Sequence, residues 1–326
     1  MTGKIIGIGS YIPKLTVEND EISKFVETSD EWIRERTGIE RRHIISEDES
    51  TTQMAAAASE EAIKDAELMA EDIDLIIVAT TSPSDVMPST ACMVQEFIGA
   101  YNATCFDLAA ACSGFLYAYN VAIAQISCGM SKNALIIGSE SLSNIVNWND
   151  RGSCILFGDG AGAAVVSASD EKYYASVTHS DGRTGGALTL ESRFIGNGIT
   201  KDKVTNFESD DYRMYMDGRE VFKFAVSKVP EAINEVLSKN NVSKDEIKYY
   251  VLHQANGRII DSVAKRLKES MDKFPRNVND YGNTSSASIP ILLDEMKRKK
   301  MLEKSDKIVI AGFGGGLTWG ATILEW

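Results

Sequence analysis

Short apolar runs rich in β-branched residues recur along the chain, at Lys4 to Ile8, Leu75 to Thr80, Ala134 to Ser139, Ala161 to Ser167, Tyr249 to Leu252, Lys307 to Ala311 and Thr318 to Leu324. Between them lie longer stretches with helical spacing of apolar positions. This alternation predicts an α/β protein with mostly buried strands. Two helix starts carry the capping-box pattern, Thr28-Ser29-Asp30-Glu31 and Ser50-Thr51-Thr52-Gln53, in which the first hydroxyl and the fourth side chain satisfy each other's free backbone N–H groups. The first of these helices is expected to end near Gly38.

The pattern repeats approximately. Glu61-Ala62-Ile63, the strand ending Leu75-Ile76-Ile77-Val78, a helix opening near Cys112 and the strand Ala134-Leu135-Ile136-Ile137-Gly138 make up one half. Glu231-Ala232-Ile233, Tyr249-Tyr250-Val251, a helix opening after Asn283 and Lys307-Ile308-Val309-Ile310-Ala311-Gly312 echo them in the same order. A duplicated unit places equivalent helix starts on opposite sides of a pseudo-twofold axis, so Cys112 and Asn283 are expected to face each other. The halves are set at 1–170 and 171–326. Glu191 to Tyr212 is polar and reads as an inserted loop or small cap.

Composition narrows the function classes. A length of 326 residues with 44% apolar and 25% charged residues is that of an ordinary globular chain. A net charge of −13 argues against broad nucleic-acid binding. No apolar run approaches the roughly 20 residues of a membrane span, and no secretory signal opens the chain, so the cytosol is the expected compartment. The five cysteines, at 92, 105, 112, 128 and 154, show neither Cys-x-x-Cys spacing nor an even count. No disulfide framework or metal site is expected, and most of these thiols are expected to be buried and inert.

Three residues stand out chemically. Cys112 follows the small-residue run Ala109-Ala110-Ala111 and precedes an apolar helix, a helix-start setting that favours thiolate over thiol. His253 follows a buried strand, where ligands collect in α/β proteins. His43, among Arg41, Arg42 and Glu47, reads as surface, and His179 has no motif around it. Asn283 sits just ahead of an amphipathic helix. A Cys, His and Asn set serves either a cysteine hydrolase, with Asn orienting His, or a decarboxylating condensing enzyme, with His and Asn stabilising an enolate.

The surrounding segments resemble those of the β-ketoacyl-acyl-carrier-protein synthase III family. They are Asp107 to Phe115 around Cys112, His253-Gln254-Ala255-Asn256, Gly282-Asn283-Thr284-Ser285-Ser286-Ala287-Ser288, and Gly312-Phe313-Gly314-Gly315-Gly316-Leu317-Thr318-Trp319-Gly320. Ser29 to Ile39 and Leu156 to Ala163 are similar too. The resemblance spans nearly the whole chain and implies a five-layered αβαβα thiolase-like fold with pseudo-twofold related halves. It implies an acyltransferase that loads Cys112 from a short acyl-coenzyme A, acetyl-coenzyme A first among them. The acyl group then condenses with malonyl-acyl carrier protein in a ping-pong reaction releasing coenzyme A and carbon dioxide. His253 and Asn283 would hold the enolate oxygen, and the N–H groups of Cys112 and Gly316 the oxyanions. A polyketide- or alkylquinolone-type condensing enzyme, a thioester hydrolase and a non-catalytic scaffold are the competing expectations.

The resemblance further implies coenzyme A contacts at Thr28, Trp32, Arg36, Arg151, Gly218, Phe222, Ala255 and Asn256, with the adenine between Trp32 and Arg151. Phe313 and Met87 would shape the acyl pocket, Met87 across a homodimer interface. Lys223, Arg258, Lys265 and Arg266 would form a basic patch for the acidic carrier protein. No metal or redox cofactor is implied.

Overall fold

The computed structural model describes residues 2–191 and 213–326. Nearly all of the polar stretch from Glu191 to Tyr212 lies outside them. Nine strands build two main sheets. The first takes β1 (Thr2–Tyr11), β2 (Leu75–Ala79), β3 (Thr104–Leu108), β4 (Asn133–Glu140) and β5 (Gly160–Ser169), in the spatial order β1-β5-β4-β2-β3. The second takes β6 (Val177–Ser180), β7 (Ile247–Leu252), β8 (Lys307–Gly314) and β9 (Thr318–Glu325), in the order β7-β8-β9-β6. β2, β3 and β4 run parallel, as do β7 and β8, while the remaining pairs are antiparallel. Each main sheet draws its strands from one end of the chain.

Seven helices complete the layers. They are α1 (Asp30–Thr37), α2 (Thr51–Asp65), α3 (Thr90–Ile98), α4 (Gly114–Ser127), α5 (Gly218–Asn240), α6 (Gly257–Leu267) and α7 (Ser288–Arg298). The period-2 geometry of a strand sends neighbouring side chains to opposite faces, which sorts the core into layers. Leu75 and Ile77 pack inward against α4 and α7, together with Val251, Ile308 and Ile310 of the second sheet. Ile76 and Val78 face outward onto Ala55, Ala58 and Ala62 of α2. Tyr250, Leu252 and Val309 face α5 and α6 on the far side. The result is the five-layered thiolase-like arrangement.

Local chemistry departs from the sequence reading at several points. The cap of α1 is Ser29, whose hydroxyl accepts the Trp32 N–H, so the cap lies one residue after Thr28 and no reciprocal box forms with Glu31. Ser50 caps α2 as expected, accepting from Gln53 N. Gly38 ends α1 in the left-handed region at φ 76°. His43, expected at the surface, is half-buried with Nδ1 2.7 Å from Pro13 O. Arg42 beside it is fully buried; its guanidinium donates to Asn19 Oδ1 and the Ile155 carbonyl, and burial lowers its pKa to about 10. Only Cys112 and Cys154 are buried, against the expectation that most of the five would be; Cys105 is half-buried and Cys92 and Cys128 are exposed. Strand β3 escaped the hydrophobic pattern because it carries Asp107, whose carboxylate accepts the Thr90 and Ala91 N–H groups at the start of α3.

Candidate active site

The middle layer sets the nucleophile. A 3₁₀ turn, Ala111–Ser113, leads into α4, and Ala111 holds a left-handed φ of 45°. This is a costly conformation for a residue with a Cβ, and such strain concentrates at functional positions. The second half contains the same device. A 3₁₀ turn, Ser285–Ala287, leads into α7, and Ser285 has φ 49°. The two turns are packed together at the centre of the molecule. A Cβ at Gly138 on β4 would fall 2.3 Å from Ser286 O, so only glycine permits this approach.

Cys112 is 8% exposed, and burial pushes its thiol up to about 12. Desolvation outweighs what the helix start was expected to provide, so the resting sulfur carries its proton. Behind it, Gly314 presses on the nucleophile: a Cβ there would lie 2.6 Å from Cys112 N. Gly316 has φ 135° and does not line the cavity into which Cys112 opens.

His253 follows β7 and is 2% exposed, with its N–H bonded to Ala311 O at 2.8 Å. Burial depresses its pKa to about 3, so the ring is neutral at physiological pH. Its Nδ1 lies 2.6 Å from Ser288 Oγ, which also accepts the Gln254 N–H at 3.3 Å. Ser288 Oγ has no other acceptor among the described residues, so its hydroxyl proton is assigned to Nδ1 and the ring proton to Nε2. Phe313 meets the ring edge-on at 5.2 Å.

Asn283 is anchored by its backbone to 156–158, through Asn283 N to Leu156 O at 2.8 Å and Gly158 N to Asn283 O at 3.1 Å. Its Oδ1 accepts the Ser285 N–H at 2.9 Å, which leaves the amide NH₂ as the free donor. The adjoining Asp159 ties this segment to Ile45 and Ser143, and burial raises its pKa to about 6.

Cys112, His253 and Asn283 line one cavity of about 520 Å³. Its walls include Phe313, Gly314, Leu317, Phe157, Leu188 and Met216, and Trp32, Arg36, Gly218, Phe222, Ala255, Asn256 and Arg258 also line it. Arg151 stands over the Trp32 ring at 4.8 Å and Arg36 at 5.4 Å. A base held between Trp32 and Arg151 needs two stacking gaps of about 3.5 Å each, so Arg151 must withdraw to admit one. Thr28 is not in the cavity wall; its Oγ1 is buried without a hydrogen-bond partner. Met87 is 87% exposed and also lies off the cavity. Lys265 and Arg266 are exposed on α6 with Arg258, whose guanidinium lies 5.9 Å from the Phe222 ring; Lys223 is exposed on α5. A second groove, of about 620 Å³ and lined by Tyr119, Asn120 and Trp326, contains none of the three central residues.

Ser285, Ser288 and Glu140 were not singled out from the sequence. The signal available for the serines was the density of hydroxyls from Thr284 to Ser288, every one of them buried. For Glu140 it was a carboxylate closing an otherwise apolar strand.

Comparison with known proteins agrees with this geometry. The models of the 3-oxoacyl-[acyl-carrier-protein] synthase III family match residues 106–182, and those of its C-terminal region match 237–326. The β-ketoacyl-[acyl-carrier-protein] synthase III of Clostridium novyi is 51% identical over 324 residues, covering 99% of this chain and 98% of the relative. The chain belongs to the β-ketoacyl-acyl-carrier-protein synthase III family. Among solved structures, the synthase III of Aquifex aeolicus superposes with a TM-score of 0.92 at 43% identity, covering 99% of this chain and all of that one. That of Pseudomonas aeruginosa gives 0.90 at 33%, covering 100% and 98%. The protein is thus a condensing acyltransferase that acts at the start of fatty-acid synthesis.

Among the described residues no helix is long and apolar enough to cross a membrane, and no group of three His, Cys, Asp or Glu side chains is arranged to hold a metal ion.

Proposed function

We propose that Cys112 takes the acyl group of a short acyl-coenzyme A and passes it to the carbanion formed when malonyl-acyl carrier protein loses carbon dioxide. The observation that carries this reading is the convergence of Cys112, His253 and Asn283 on one cavity, with both nitrogen side chains oriented as donors. Two N–H donors lining one cavity suit an oxygen that gains negative charge, as the malonyl thioester oxygen does on decarboxylation. The same arrangement suits hydrolysis poorly, because His253 has no lone pair to spare for activating water.

In the acyl-transfer steps the N–H of Cys112, together with the Gly314 to Gly316 loop, receives the oxyanion. Acyl-coenzyme A enters past Trp32 and Arg36, with Arg151 closing over the base and Gly218, Phe222, Ala255 and Asn256 along its path. The acidic carrier protein docks on Lys223, Arg258, Lys265 and Arg266, against the −13 net charge of the chain. Two copies pair so that Met87 of each reaches the other's acyl pocket, and neither metal nor redox cofactor takes part. Met87, flexible and adaptable, suits acetyl and short straight or branched primers.

Intact mass spectrometry after incubation with acetyl-, isobutyryl- and octanoyl-coenzyme A tests the reading. One adduct is expected, on Cys112, discharged by malonyl-acyl carrier protein and absent in Cys112→Ala. Adduct formation surviving that substitution overturns the nucleophile, and a marked octanoyl preference overturns the primer assignment.

A further inference from the structure

Arg42 is a cation buried without a counter-ion among the described residues. It lies on the short strand Arg41–Ile44, which pairs with Leu15–Glu18 outside the two main sheets. The side chain is 0% exposed. Its acceptors are Asn19 Oδ1 and the Ile155 carbonyl, each at 2.8 Å, and the Val17 carbonyl at 3.4 Å, all neutral, and Nε has no partner. With a pKa of about 10 it still carries its charge at neutral pH. Holding such a charge is costly, and an apolar side chain of similar volume commonly packs as well or better. The position calls for a use besides packing.

The guanidinium reaches the backbone that carries Asn283. Ile155, whose carbonyl accepts from Nη2, lines the central cavity beside Leu156 and Phe157. Leu156 O accepts the Asn283 N–H at 2.8 Å and Asn283 O accepts the Gly158 N–H at 3.1 Å, so the segment that Arg42 grips is the one to which Asn283 is anchored. The base of the side chain is held as closely. A Cβ at Gly158 would lie 3.1 Å from Arg42 Cβ and one at Gly282 3.3 Å from it, so glycines on both sides of the Asn283 anchor close over the arginine. Its strand neighbours hold the same two segments: His43 O accepts the Asp159 N–H at 2.8 Å, and Arg41 Nη1 pairs with Asp280 Oδ1 at 3.0 Å. His253 is secured elsewhere, on Ser288 and Ala311.

We propose that Arg42 is a positioning residue for decarboxylation, one that sets where the Asn283 amide meets the enolate oxygen. This rests on the reading of Asn283 as a donor in that step. The planar fork donates from Nη1 to Asn19 and from Nη2 to Ile155, which fixes the Ile155 carbonyl against the Asn19 side chain. Charge-assisted bonds of this kind are about twice as strong as neutral ones. Leu156, the next residue, carries the constraint to Asn283. Loss of the fork releases one of the two enolate donors and leaves the other in place. A displacement of about 1 Å at a reacting centre can cost about 10² in rate, so a small shift suffices. No bond in this set reaches the Cys112 turn, and acylation is spared.

The test follows carbon dioxide release from malonyl-acyl carrier protein, and Cys112 acylation by acetyl-coenzyme A, in wild type, Arg42→Met and Arg42→Lys. Methionine keeps much of the volume without the donors; lysine keeps the charge but only one arm. The kcat for carbon dioxide release is expected to fall about 10²-fold in Arg42→Met and about 10-fold in Arg42→Lys, with KM and the acylation rate within about twofold of wild type. Each substitution is then repeated in Asn283→Ala. With that amide gone Arg42 has nothing left to position, so the second change is expected to add less than about twofold. A general loss of structure would add its full cost in both backgrounds. If Arg42→Met does not fold, Arg42→Lys runs the same cycle. A wild-type decarboxylation rate in a folded variant, an equal fall in acylation, or an undiminished cost in Asn283→Ala overturns the proposal. Undiminished carbon dioxide release in Asn283→Ala alone overturns the reading of Asn283 instead, so the two failures are told apart.

Discussion

Ser288 Oγ lies 2.6 Å from His253 Nδ1 while accepting the Gln254 N–H, and with no other acceptor among the described residues its hydroxyl proton is assigned to Nδ1, which leaves the ring proton on Nε2. The ring is neutral and depends on its tautomer, not its charge, to present a donor to the substrate. On the proposed mechanism Ser288 is a positioning residue for decarboxylation.

Ser288→Ala is expected to reduce malonyl-acyl carrier protein decarboxylation by about 10², the typical cost of one missing donor at a developing negative charge. Cys112 acylation should persist. A release assay for carbon dioxide beside an acylation assay checks this; equal losses in both steps would show that Ser288 serves packing only.

His253 also gives the protein an acid-sensitive term. Its folded pKa of about 3 lies below the roughly 6.5 of a free histidine, so the unfolded chain takes up a proton that the folded chain refuses. The contribution is complete above about pH 6.5 and is lost as pH falls toward 3, at about 1.4 kcal/mol per unit. Between pH 7 and 5, urea unfolding of wild type should lose about 2 kcal/mol more than His253→Gln does. Equal losses in the two proteins would contradict the buried neutral ring.

At Gly314 the expectation is steric. Gly314→Ala places a methyl 2.6 Å from Cys112 N, far inside contact distance, and it obstructs the N–H offered to the oxyanion. Acylation should fall by about 10² to 10³ with little change in coenzyme A affinity. A crystal structure of the variant would show the Cys112 turn displaced; an unmoved turn and full activity would refute the argument.

The basic face of α6 should act on one substrate only. Lys265→Glu with Arg266→Glu is expected to raise KM for malonyl-acyl carrier protein, and to flatten its dependence on salt, while leaving acylation by acyl-coenzyme A as it was. Steady-state kinetics at two ionic strengths check it, and a parallel change in both substrates would place the carrier protein elsewhere.

Much of this was legible before the coordinates. Strands β1, β2, β4, β5, β7, β8 and β9 announce themselves by apolar runs, because strands covered on both faces need no polar alternation. β3 and β6 did not, since Asp107 and His179 interrupt them for capping and pairing duties that arise only in three dimensions. Cys112, His253 and Asn283 were singled out through their segments, and the structure brings all three to one cavity. The state of the thiol was misjudged: sequence places a helix start but not the depth of burial, and at Cys112 burial dominates. Ser288 meets His253 across two segments, a distance that no spacing along one segment encodes.

The matching left-handed residues at Ala111 and Ser285 give the two halves one frame with unequal uses. In the first half the strained turn carries Cys112; in the second, the residue at the same step is Ser286, whose hydroxyl is turned to Ala79 O at 2.8 Å. One frame presents a sulfur to the cavity, and the other buttresses it while the same stretch of chain brings Asn283 to that cavity and Ser288 to His253.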